Sequence, residues 1–62
     1  MDYEAKMLEK LQMYVDLRRE SIEDGDKSMK EYAEDLYWKC KMFVEQVTDK
    51  EIVMENWKVS YK

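Results

Sequence analysis

The apolar residues of this chain are arranged as mirror images about its single glycine, Gly25. Ile22 and Met29, Val15 and Leu36, Leu11 and Cys40, and Leu8 and Phe43 each have residue numbers summing to 51. Two amphipathic helices folded back around a turn at Asp24-Gly25-Asp26-Lys27 would set each pair at equal height. The pattern therefore predicts an antiparallel helical hairpin.

Helix 1 is expected from about residue 3 to 24, with Asp2 as N-cap and Glu4 in the positive first turn. Tyr3, Met7, Leu8, Leu11, Tyr14, Val15 and Ile22 form its stripe at about 100° per residue. Gly25 supplies the left-handed residue that ends many helices. Helix 2 is expected over about 29–47, because Ser28-Met29-Lys30-Glu31 reads as a capping box. Its stripe is Met29, Tyr32, Ala33, Leu36, Tyr37, Cys40, Phe43, Val44 and Val47.

The last fifteen residues admit three readings. Thr48-Asp49-Lys50-Glu51 forms a second capping box, with Val47 and Ile52 at the spacing of a hydrophobic staple. That favours a break and a third helix over about 49–60. Alternatively the 3-4 spacing runs on through Met54, Trp57 and Tyr61, giving one long second helix. In the third reading Trp57-Lys58-Val59-Ser60-Tyr61 alternates as a strand, which would look for its partner in another protein. The preferred fold is all-α: a single small domain of helical hairpin plus third helix, dimerising into a helical bundle.

At 62 residues one core supplies only about 3–5 kcal/mol of net stability. Disulfides, metals and partner subunits are the usual supplements. One cysteine and no histidine leave association with another chain, most simply as a two-fold homo-oligomer. With 42% charged and 45% hydrophobic residues, the chain resembles neither a disordered nor a membrane-spanning sequence. The lone cysteine fits a cytoplasmic setting. The acidic start, Met1-Asp2-Tyr3-Glu4, does not read as a signal peptide, and the initial Met suggests a complete small gene product.

The net charge is −4 and falls wholly on the first helix. An acidic chain without a basic stripe is a poor ligand for nucleic acid or anionic membrane, so neither is expected as a partner. Glu9, Asp16 and Glu20 lie along the outer ridge of helix 1, either as a solvated face or as mimicry of a phosphate backbone. Asp24, Asp26 and Ser28 have the opening spacing of a calcium loop, but Met29 and Asp35 stand where that loop needs Gly and a bidentate acid. Cys40 lies in the core stripe with no histidine to activate it. No cofactor and no enzymatic activity are expected.

Each helix also carries an apolar pair off its main stripe: Met13 with Leu17, and Trp38 with Met42. Trp and Met are enriched where proteins meet. These four residues, with Glu9, Asp16 and Glu20, are the candidate partner-binding set. Arg18, Trp57 and Tyr61 are candidates for a dimer or core interface; Arg18 interrupts the helix 1 stripe opposite small Ala33, where its stem can cover the core. In size and class the chain is similar to small acidic helical proteins, common in bacterial and phage genomes, that bind and inhibit a larger enzyme or regulator.

Overall fold

The computed structural model describes residues 2–62. Helix α1 spans Tyr3–Asp24 and helix α2 spans Lys27–Thr48. Strands β1, Ile52–Glu55, and β2, Lys58–Tyr61, form one antiparallel hairpin. The helical hairpin is thus present with its turn at Gly25, which takes φ 71° and sends its N–H to the carbonyls of Ile22 and Ser21. Asp2 caps α1 through Ala5 N–H at 3.1 Å. Helix α2 starts two residues earlier than the Ser28 capping box implies: Asp26 is its N-cap, accepting from Met29 N–H at 3.0 Å.

The third helix over 49–60 does not form, and neither does the long continuous α2. Thr48 acts at a helix end, not a beginning: its hydroxyl donates back to the Val44 carbonyl at 2.7 Å. Asp49 then turns left-handed at φ 57° and closes α2 through Glu45. Beyond it, β-branched Ile52, Val53 and Val59 favour a pleated surface. Of the alternating segment 57–61, Lys58–Tyr61 forms a strand while Trp57 falls in the turn, and the strand's partner is in the same chain. Ile52 pairs with Tyr61, Val53 with Ser60, Met54 with Val59 and Glu55 with Lys58. Lys62 N–H adds one more rung to the Glu51 carbonyl at 2.8 Å.

The turn is Asn56-Trp57, with both residues left-handed at φ 51° and 65°. Two consecutive positive φ values suit the right-handed twist of a tight hairpin. Asn tolerates this well; a Trp in that region is uncommon. Strand β2 alternates in burial, whereas β1 runs from buried Ile52 to exposed Met54 and Glu55. Ile52 and Val59 are buried and Tyr61 is half-buried, while Glu55, Lys58 and Ser60 face water. Its apolar face packs against the helices, so Ile52 and Val59 join Leu11, Val15, Tyr37 and Val44 in one core.

The long α2 stripe therefore divides. Ala33, Tyr37 and Val44 are buried; Met29, Tyr32, Phe43 and Val47 are exposed. At 100° per residue the stripe is wider than the single line α1 can cover. The β-hairpin closes the flank of α2 that carries Lys41 and Glu45 and leaves the other flank open. Phe43 is consequently exposed, although its mirror partner Leu8 packs on the core.

Candidate functional site

Polar side chains of the helices fasten the β-hairpin in place. The amide of Gln12 bridges it: Nε2 donates to the Trp57 carbonyl at 2.8 Å, and Oε1 accepts from Val59 N–H at 3.0 Å. Because Met54 and Val59 are opposed outside the hydrogen-bonded rungs, Val59 turns its N–H to the outer edge of β2. There Gln12 takes the place of a peptide unit in a missing third strand. On the other edge Glu45 Oε2 accepts from Ile52 N–H at 2.9 Å and from Lys41 Nζ at 3.1 Å. These bonds, the backbone one foremost, hold the Glu45 carboxyl below its ordinary value of 4.5. At the chain ends the Tyr61 hydroxyl donates to the Glu4 carbonyl at 2.7 Å, and Lys50 pairs with the Glu4 carboxylate at 2.7 Å. Burial first of all pushes the Tyr61 hydroxyl above its usual range.

Arg18, Trp57 and Tyr61, the dimer- or core-interface candidates, all make contacts within the chain. The Arg18 guanidinium lies 5.8 Å from the Trp57 ring centre and 3.8 Å from Glu34, and Arg19 approaches the same ring at 6.0 Å. Two cations beside the indole and the Gln12 bond on its carbonyl accompany the left-handed Trp57. The Arg18 Nε is buried without a hydrogen-bond partner, while the side chain as a whole is part-exposed beside Glu34.

The expected partner-binding residues separate into two groups. Met13 is exposed and Leu17 half-buried on α1, beside exposed Glu9, Asp16 and Glu20. Lys6 and Lys10 line the same shallow groove as Glu9, Met13 and Asp16, so the acidic ridge is interleaved with bases. Trp38 and Met42 are both exposed on α2. Trp38 is held edge-on to Tyr37 at 5.7 Å, with the Lys41 ammonium 5.3 Å from its ring. The strands cover neither pair. A third exposed set, Met29, Tyr32, Phe43 and Val47, was assigned to the core by periodicity; the width of the α2 stripe was the available sign that one neighbour could not cover it.

Burial raises the Cys40 thiol above its usual value despite nearby Lys10, so it stays protonated at neutral pH. Asp26, the central acid of the calcium-like spacing, uses a carboxylate oxygen as the α2 cap. Among the described residues no helix is long and apolar enough to cross a membrane. The class defined is a two-helix hairpin braced on one side by a β-hairpin, with large apolar side chains displayed on its helices. Comparison with family models, curated proteins and solved structures finds no match to this chain.

Proposed function

We propose that this chain is a protein-binding module that modulates or inhibits a larger partner, with Trp38 and Met42 as its anchor. The observation that carries the reading is an exposed Trp-Met pair, one helical turn apart, on a rigid helix. Exposed Trp is costly to leave wet, and Trp is among the residues that dominate interface energetics. Tyr37 and Lys41 fix the orientation of the indole, so docking would cost little side-chain entropy. The acidic ridge of α1 supports a partner with a basic rim. The one free thiol supports a reducing, cytoplasmic setting.

The test is affinity capture from the native cell extract with wild type, Trp38→Ala and Met42→Asp. The expected result is one partner retained by wild type and lost by both variants, with unchanged circular dichroism. Equal retention by all three would remove this surface from the function.

A further inference from the structure

We infer that the open flank of α2 is the seat of a second copy of this chain, packed antiparallel about a two-fold axis near Tyr37-Trp38. The inference concerns a different face from the Trp38–Met42 anchor and stands independently of it. Tyr32 is 58% exposed, Phe43 55%, Val47 52% and Met29 38%. They recur at helical spacing on the flank opposite Glu45 and Lys41, the two side chains that face the β-hairpin. Neither α1 nor the β-hairpin covers this flank: α1 packs on the side of α2 that buries Ala33, Tyr37 and Val44, and the hairpin lies against α1 through β2 and reaches α2 at Glu45.

Area favours a macromolecular occupant. A buried aromatic side chain covers about 150–250 Å², so half-exposed Tyr32 and Phe43 each leave roughly 100 Å² wet. With Met29 and Val47 the flank presents on the order of 350 Å² of apolar surface, within the size of the largest, often functional, patch on a typical monomer. Doubled in a two-fold pair, and divided by the roughly 65% apolar share of homodimer interfaces, it gives about 1,100 Å². That reaches the area of a specific interface.

The pattern is also complementary to itself. A two-fold axis midway between residues 32 and 43 sets Tyr32 against Phe43 of the second copy at equal height. Cys40 then comes level with Leu36 to within about 1.5 Å. Asp35 and Lys39 lie together on the outer edge of the flank, where they form an exposed pair at 2.9 Å. In an antiparallel two-fold arrangement like edges meet. Asp35 of one chain therefore falls beside Lys39 of the other, within about one residue rise, and both cross-chain pairs have opposite charge. A parallel two-fold arrangement brings unlike edges together, so Asp35 and Lys39 would face the opposite edge of the second copy and lose this cross-chain match. The preference for a second copy over a foreign protein rests on this self-matching of apolar and charged positions, and on the small core of a chain this length.

The experiment is sedimentation equilibrium on the full chain from about 1 to 500 µM, the range of weak to moderate dimers. Phe43→Asp, Asp35→Lys and the double variant Asp35→Lys/Lys39→Asp are run beside wild type. The expected result is a reversible dimer in wild type. Phe43→Asp should weaken it at least about 100-fold, since the change falls twice in each interface. Asp35→Lys should weaken it by about 3–10-fold and the double variant should restore it. Since all three positions are exposed, circular dichroism should show unchanged helicity. A wild-type monomer at every concentration overturns the inference. So does a dimer indifferent to Phe43→Asp, and so does a double variant no tighter than Asp35→Lys alone.

Discussion

Replacing Gln12 tests how the β-hairpin is held. Its amide makes two bonds to the outer edge of β2, at 2.8 and 3.0 Å, and a third to Asp16 at 3.0 Å. Each such bond contributes about 0.5–1.5 kcal/mol net. The side chain is half-buried, so Gln12→Ala should cost about 1–2 kcal/mol. In a domain of this size that is a large part of the total and corresponds to a melting-temperature drop of about 5–15 °C. Gln12→Glu is the sharper change, because it preserves shape and one acceptor. Its second oxygen would face the Trp57 carbonyl and the Asp16 carboxylate, so all donors are lost and like charges meet. At neutral pH Gln12→Glu should therefore be less stable than Gln12→Ala. Below the carboxylate range, protonation returns a donor and the order should reverse. Thermal melts followed by circular dichroism at both pH values give the answer, with the Val59 amide shift reporting the local bond. A loss below about 0.3 kcal/mol for Gln12→Ala, well under one net hydrogen bond, would refute the clamp. So would Gln12→Glu matching wild type at neutral pH.

The Glu45 carboxyl titrates lower in the folded chain than its ordinary value of 4.5, first because of its bond from Ile52 N–H. Its stabilisation is thus full above that value and lost as pH falls through the lower folded one. In a Trp38→Phe background the Trp57 fluorescence should report loosening of the hairpin in that window, and Glu45→Gln, which keeps an acceptor without the charge, should flatten the response. Gly25→Ala should cost about 1 kcal/mol in urea unfolding, from the left-handed backbone alone, because an added Cβ meets nothing within 4 Å. Gly25→Asn should cost less. Asp49→Asn should stabilise by about 0.3–1 kcal/mol, since it keeps a residue tolerant of φ 57° and removes an anion from the negative end of α2. That gain should shrink with added salt.

The hairpin of helices was legible because two signals agreed: a 3.6-residue period on both sides, and one glycine where the chain must turn left-handed. The C-terminal segment was not, because its local signals conflict. Thr48-x-x-Glu51 has the spelling of a helix start, yet the same hydroxyl can bond back to Val44 and finish a helix. The alternation of 57–61 was visible. Ile52-Val53-Met54-Glu55 does not alternate in polarity, and Asn-Trp is a weak turn signal beside Asn-Gly. The fasteners Gln12, Glu45 and Glu4 were invisible for a related reason. Each is an ordinary polar helix residue until the hairpin folds against it. The exposed Trp38, Met42 and Met13 were read correctly as outward, since wheel position depends only on the helix. Phe43 and Val47 were read as core because periodicity gives the width of a stripe but not how much of it a neighbour covers.

The central claim is that the helical layer is braced by the β-hairpin on one side and by a second copy on the other. Isotope-filtered nuclear Overhauser spectroscopy on an equal mixture of labelled and unlabelled chain addresses it at the level of atoms. Pairing through α2 gives intermolecular cross-peaks between the Tyr32 and Phe43 rings, and between Leu36 and the neighbourhood of Cys40. Intermolecular peaks confined to Trp38, Met42 or the outer face of the β-hairpin would contradict it, as would none at all in a millimolar sample.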